Sequence, residues 1–360
     1  MSNILDYVRT YGTETMLERH FCSADALVLA QLSYIDWESA VSGMKENKDF
    51  ITLKDTMYQG NVEKMVKGSV FKEENRALFF QAAASPRFSE VKINFYTEII
   101  SEERNLQMAA MTFLLPCGRA CVTFRGTDDT LNGWKENFSM VYRFPVPAQE
   151  YATTYLYQVA KRLDCPLIVC GHSKGGNLAV YASAKCGEEI QERIRRIYNF
   201  DGPGFWDAFM EGPDYGRVAL RIRKYVAPES FIGLLLRDDS NTFMVKCNAH
   251  GMLQHDPYNW EMYKGRLRKV QKYNHDKRDA GQSLNQKIMS LSKDRAQLVI
   301  ESFFEAVKRS GLCRLSELNS DYALEVLRNF HENHVYDRDS LVVLARLLLY
   351  LIPGRKILRQ

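Results

Sequence analysis

An apolar run of four residues, Leu167-Ile168-Val169-Cys170, leads directly into Gly171-His172-Ser173-Lys174-Gly175-Gly176 and then into a stretch with helical patterning. No other feature constrains the fold as tightly. A short, continuous apolar run bounded by turn residues reads as a central strand buried on both faces. A G-x-S-x-G sequence between a strand and a helix forms a sharp turn that holds its serine in strained backbone angles, and the neighbours must be glycine to avoid collision. Ser173 then stands above the strand ends, with the positive end of the next helix behind it, where a developing oxyanion is favoured. Ser173 is therefore the candidate nucleophile, and the backbone N–H of Lys174 is one candidate oxyanion donor. The bland alternative is a turn whose serine merely caps the helix; the strand and the helix on either side argue against it.

The rest of the chain alternates as such a strand requires. Strands are predicted over residues 91–100, 106–115 and 120–124, followed by helix 149–163, strand 167–170, helix 174–186, strand 194–200, and strands near 221–226 and 242–247. Alternation of this kind implies crossover connections and a largely parallel sheet, hence an α/β fold. Residues 1–90 read mostly helical, with an apolar face in 24–34, and are expected to form an outer layer. Residues 261–285 are strongly polar and read as a solvated helix or a connector into helices near 286–310, 315–332 and 338–351. The expected organisation is a helical N-terminal layer (1–90), an α/β core (91–260) and a helical C-terminal extension (261–360). The basic stretch 264–272 reads as a solvent-facing helix and carries no function.

Composition excludes several partner classes. The 360 residues carry 48 basic and 44 acidic side chains, a formal charge of +4, too small and dispersed to imply nucleic acid or an anionic membrane. The longest apolar stretch, 341–353, is interrupted by Arg346, whereas a spanning helix needs about 20 apolar residues, so no stable membrane insertion is expected. The first residues carry early acids and no signal-like apolar core, so a cytoplasmic location is expected. The eight cysteines (Cys22, Cys117, Cys121, Cys165, Cys170, Cys186, Cys247 and Cys313) lack the C-x-x-C spacing of a zinc site and read as thiols in a reducing compartment. Cys117 and Cys121 could face each other across a hairpin. No metal or organic cofactor is expected.

A second oxyanion donor is needed. Phe124-Arg125-Gly126-Thr127-Asp128-Asp129, at a strand end and followed by Asn132-Gly133-Trp134, is the best candidate. Val122-Thr123-Phe124-Arg125-Gly126-Thr127, Trp134 and Gly171-His172-Ser173-x-Gly175-Gly176 together resemble the class 3 (fungal-type) lipases and their bacterial relatives of unknown function, within the α/β-hydrolase group. The resemblance covers roughly residues 90–260. It implies the α/β-hydrolase fold, Ser173 as nucleophile, and Thr127 as oxyanion donor through its backbone N–H and often its hydroxyl. Those lipases carry leucine after the nucleophile, whereas Lys174 here is expected to set a charge at the mouth of the site, against a simple preference for fatty acyl chains.

The base must be an imidazole on a loop after a later strand, since it both accepts the serine proton and returns it to the leaving group near neutral pH. His250 and His255 both qualify, in Asn248-Ala249-His250-Gly251-Met252-Leu253-Gln254-His255-Asp256-Pro257. His255 is preferred because its segment is polar and turn-like and Pro257 and Trp260 can fix it. His172 is expected to pack beside its strand. For the orienting acid, Asp201 stands at the end of the strand after the elbow helix, where such sites assemble. In the lipases the acid comes one strand later, at a place resembling Glu229 or Ser230; Asp201 is preferred and Glu229 is the alternative. Two functions fit: a serine carboxylesterase or lipase-like hydrolase acting on a small-molecule or lipid ester, or an inactive hydrolase-like scaffold that binds a partner. The apolar segment 231–236 and the C-terminal helices are candidate lids, or equally core.

Overall fold

In the computed structural model, eight strands lie side by side in the order in which they follow one another in the chain. They are β1 (Ile51–Thr52), β2 (Lys92–Ser101), β3 (Leu106–Leu115), β4 (Arg119–Phe124), β5 (Leu167–His172), β6 (Ile194–Phe200), β7 (Ile222–Val226) and β8 (Thr242–Met244). The structure describes residues 2–41, 43, 49–59, 62–67, 70–270, 285–331 and 338–351. Strands β1 to β4 pair antiparallel, and β4 to β8 pair parallel. The architecture is that of the α/β-hydrolase fold, a mostly parallel central sheet flanked by helices.

The monotonic strand order decides where the helices go. Right-handed crossovers that always step to the next strand in one direction place every crossover helix on the same face of the sheet. Helices Pro147–Arg162, Lys174–Lys185 and Pro213–Ala219 pack there, against Val122, Phe124, Leu167, Val169, Ile197 and Ile222. The opposite face receives no crossover, and the N-terminal helices Ile4–Tyr11, Ser23–Leu32 and Lys72–Ala84 cover it, against Cys121, Ile168, Cys170, Tyr198 and Phe200. Leu167 and Val169 face one side and Ile168 and Cys170 the other, the period of two that makes a doubly buried strand continuously apolar. Helix Ser23–Leu32 is buried all round from Ala24 to Leu32, so its sequence has no polar stripe.

One ion pair ties this N-terminal layer together. Arg87 meets Asp25 through Nε and Nη2, both at 2.6 Å, with both side chains fully buried. Arg87 Nη1 also donates to the carbonyls of Glu14, Thr15 and Arg19, and the Tyr7 hydroxyl donates to Asp25 at 2.7 Å.

A third apolar cluster joins helix Leu131–Ser139 and the segment after β7 to the C-terminal helices Lys293–Arg309, Ser320–His331 and Arg338–Leu351. Phe231, Ile232, Leu235 and Leu236 are buried in it, so this segment is core where it stands. Residues 262–267, expected within a solvated helix or connector, instead form a hairpin of Met262–Tyr263 and Arg266–Leu267. Gly265 at φ 70° makes its turn, Met262 and Leu267 point into the core, and the Met262 N–H donates to the Ser2 carbonyl at 2.7 Å. Residues 268–270 of the same stretch run alongside 244–246, with Lys269 bridging Val245, and residues 271–284 lie outside the described residues. All eight cysteines are free thiols; Cys121 lies not against Cys117 but 3.6 Å from the sulfur of Cys170 on the neighbouring strand. Among the described residues no helix is long and apolar enough to cross a membrane.

Removing one partner of a buried ion pair leaves an uncompensated charge, so Arg87→Met is expected to cost about 3–5 kcal/mol in urea unfolding. The double variant Arg87→Met/Asp25→Leu should recover much of that loss. A single-variant cost near zero would show that the pair does not hold the layer.

Candidate active site

Ser173 sits between β5 and helix Lys174–Lys185 with φ 57° and ψ −134°, a backbone conformation that costs a non-glycine residue on the order of 1–3 kcal/mol. The surroundings enforce it. A Cβ on Gly175 would stand 2.1 Å from the Phe124 carbonyl oxygen, and one on Gly171 would stand 2.3 Å from the Gly175 backbone. The Ser173 N–H donates to the Phe200 carbonyl at 2.8 Å, which anchors the turn to the next strand. The Arg125-Gly126-Thr127 turn packs directly on this elbow: a Cβ on Gly126 would lie 2.6 Å from the His172 carbonyl oxygen and 2.9 Å from Ser173 Cβ. Arg125 is held by Glu98, while the buried Thr127 hydroxyl has no hydrogen-bond partner among the described residues.

Asp201, at the end of β6, also adopts a positive φ of 55°. Its N–H donates to Tyr225, and its Oδ1 accepts from the Ala227 N–H at 3.3 Å. Asp201 Oδ2 lies 2.6 Å from His255 Nδ1, and the Ser230 hydroxyl lies 3.5 Å from the same nitrogen. A carboxylate facing Nδ1 fixes the proton there and leaves Nε2 as the acceptor. His255 Nε2 is buried and has no protein partner among the described residues. The structure thus brings together the preferred acid and the preferred imidazole. The alternatives meet each other instead: His250 Nδ1 is 3.6 Å from Glu229 Oε2, with the His250 side chain 78% exposed. Glu229 also accepts from the Gly251 N–H at 3.0 Å, and its own N–H donates to Gln254 at 2.7 Å, contacts that shape the loop carrying His255.

Two features escaped the sequence. His172 stacks on His255 with ring centroids 4.7 Å apart, and its Nε2 lies 2.8 Å from the His255 carbonyl. A carbonyl only accepts, so Nε2 carries the proton and Nδ1 accepts from the Tyr34 hydroxyl at 2.9 Å. Burial, and then the neighbouring His255, hold the His172 pKa well below 6.5 and keep the ring neutral. Tyr34, from the N-terminal layer, therefore steadies the loop of His255 through His172, the residue beside Ser173. A Cβ on Gly126 would lie only 2.0 Å from the same Tyr34 oxygen, which places that hydroxyl against the oxyanion turn as well.

The second is Lys174, expected as a charge at the mouth of the site. It is fully buried instead, with Nζ donating to Glu136 Oε2 at 2.9 Å and to the Gln107 carbonyl at 2.8 Å. Glu136 is supplied by helix Leu131–Ser139, which the sequence reading did not identify. Its carboxylate also accepts the Gln107 and Ala148 N–H groups, at 2.9 and 3.0 Å. A buried charge needs such a partner set, so the lysine side chain points inward while its backbone N–H stays at the start of the helix dipole. Among the described residues no cluster of three or more His, Cys, Asp or Glu is placed to hold a metal ion.

The depressed pKa of His172 gives the fold an acid sensitivity. Its neutral form contributes stability that is present above about pH 6.5, the unfolded value, and lost as pH falls below it, because the unfolded chain then binds the extra proton. Asp256, pushed up to about 7 by burial, works in the opposite sense: its contribution is present below 3.8 and is lost as pH rises through about 7. Comparing variants isolates the histidine. Between about pH 7.5 and 5.5, urea midpoints should fall more steeply for the wild type than for His172→Gln; parallel slopes would contradict the assignment.

The comparisons with known proteins are sparse. No curated protein matches the chain. Among solved structures, the crystal structure of M37 lipase is similar at 14% identity, with 58% of this chain and 68% of that chain covered and a TM-score of 0.37. The family model described as Mbeg1-like matches residues 82–305, more than half of the 360-residue sequence. The chain belongs to the Mbeg1-like family.

Proposed function

We propose that this protein is a serine hydrolase, an esterase of lipase-like kind, that cleaves an ester through an acyl-Ser173 intermediate. The observation that carries this reading is the 2.6 Å Asp201–His255 contact, which leaves the imidazole Nε2 unpaired in a site built around a strained Ser173. Ser173 Oγ attacks the ester carbonyl and its proton passes to His255 Nε2. The C–O bond breaks and the alcohol departs with that proton. Water, deprotonated by His255, then attacks the acyl group, releasing the carboxylic acid and restoring Ser173. Asp201 orients the ring and balances the imidazolium. The Lys174 N–H, the Thr127 N–H and hydroxyl, and the positive end of helix Lys174–Lys185 stabilise the oxyanion. Lys174 acts only through its backbone, since its ammonium is committed to Glu136.

One observation favours the alternative of a non-catalytic scaffold: Ser173 is only 3% exposed and His255 8%. Turnover then requires the surrounding segments to admit substrate, and a scaffold requires nothing.

Hydrolysis of a p-nitrophenyl ester series from acetyl to palmitoyl separates the readings. Ser173→Ala and His255→Ala are expected to lower kcat by at least about 10⁴-fold, Asp201→Asn by about 10³–10⁴-fold, and Thr127→Val by about 10²–10³-fold. Glu229→Gln and His250→Gln should leave kcat within a small factor of wild type. Equal rates for wild type and Ser173→Ala would end the catalytic reading, and a Glu229→Gln defect as large as that of Asp201→Asn would move the orienting role.

A further inference from the structure

Buried polar atoms without a protein partner gather on one side of the oxyanion turn. They are Gln107 Nε2, Thr127 Oγ1, Asn132 Nδ2, and both Asn137 Nδ2 and Oδ1. Gln107 and Asn137 are themselves fully buried, at 1% and 0% exposure. Gln107 and Thr127 meet at helix Leu131–Ser139. A Cβ on Gly133 would lie 2.3 Å from Gln107 Oε1 and 2.8 Å from Thr127 Cγ2, so this helix position rests on both side chains. Asn132, Gly133, Glu136 and Asn137 share one face of helix Leu131–Ser139, spaced one turn apart.

The cluster is held rigidly. The Gln107 backbone is fixed at both ends, its N–H by Glu136 and its carbonyl by Lys174, and its Oε1 accepts the Asp128 N–H at 3.2 Å. The amide therefore has one orientation, with its NH₂ group left as a free donor. Leaving this many buried groups unpaired would cost as much as the stability of a whole domain, so an oxygen-bearing occupant must pair with them. With the Thr127 hydroxyl turned to the oxyanion, three amide donors and the Asn137 Oδ1 acceptor remain, a set that fits a hydroxyl group, which accepts from the amides and donates to Oδ1. Lys174 and Glu136, which hold the Gln107 backbone, neutralise each other, as Arg125 and Glu98 do, so neither pair calls for a charged ligand.

We infer that these side chains form a polar acyl subsite, and that the ester cleaved at Ser173 carries a hydroxyl group one or two carbons from its scissile carbonyl. The short distance follows because Thr127 belongs both to the oxyanion turn and to the cluster. An alkanoyl chain in the same place would strip water from the five atoms and offer nothing in return. This inference rests on the hydrolase reading above for the position of the scissile bond.

The test uses esters matched in length: ethyl lactate against ethyl propionate, and ethyl 3-hydroxybutyrate against ethyl butyrate, followed by pH-stat titration. The full-length wild type should favour the hydroxy ester by at least about 10-fold in kcat/KM. Asn137→Leu and Gln107→Leu should each bring that ratio towards one. A ratio measured within one protein does not depend on the fraction that is folded. Saturation-transfer NMR on Ser173→Ala gives a second readout, in which ethyl lactate should bind and ethyl propionate should not. Equal treatment of the paired esters in both measurements, or preference for the alkanoyl members, would overturn the subsite and leave the cluster as water-filled. Absence of hydrolysis with selective binding of ethyl lactate would instead overturn the hydrolytic reading and leave the subsite standing.

Discussion

The closest backbone approach in the site is the elbow against β4, where a side chain on Gly175 would collide with the Phe124 carbonyl at 2.1 Å. Nearly everything else follows from that contact. It fixes the glycines, forces Ser173 to φ 57°, and brings the 125–127 turn against that serine. Asp201 repeats the device on the next strand at φ 55°, so two adjacent strand ends each present a residue at positive φ. Neither conformation would persist in an exposed loop; both persist because the strands behind them are packed on both faces.

The monotonic sheet has a consequence for function. Because all crossovers fall on one face, the N-terminal helices are free to cover the other, and from there Tyr34 reaches His172 and, through it, the loop of His255. The layer that completes the core thus also supports the loop that carries His255. On the other flank, Lys174 and Glu136 join the elbow helix to helix Leu131–Ser139 and to the start of β3. A buried pair of this sort adds little net stability, and its stronger effect is to specify a single arrangement.

Much of this was legible in the sequence where backbone geometry dictates residue type. The glycines around Ser173, the apolar β5 and the alternating elements each have a local physical reason, and each was read correctly. The choice between Asp201 and Glu229, or His255 and His250, was not local. Both pairings satisfy the chain order, and only the folded loop shows that each acid takes a different histidine. Lys174 was misread because lysines nearly always face water; its partner Glu136 lies 38 positions away, on a nine-residue helix. Tyr34, 138 positions from His172, left no trace at all. The hairpin at 262–267 was hidden by the polar residues around Gly265, whose positive φ makes the turn.

The most direct test of the Ser173–His255–Asp201 account is intact-mass and peptide-level mass spectrometry after exposure to a fluorophosphonate. An activated serine attacks phosphorus and keeps the adduct, whereas an ordinary buried hydroxyl does not. The account predicts a single adduct on Ser173 in the wild type and none on His255→Ala at the same dose. No adduct on the folded wild type, or equal labelling of the two proteins, would contradict it.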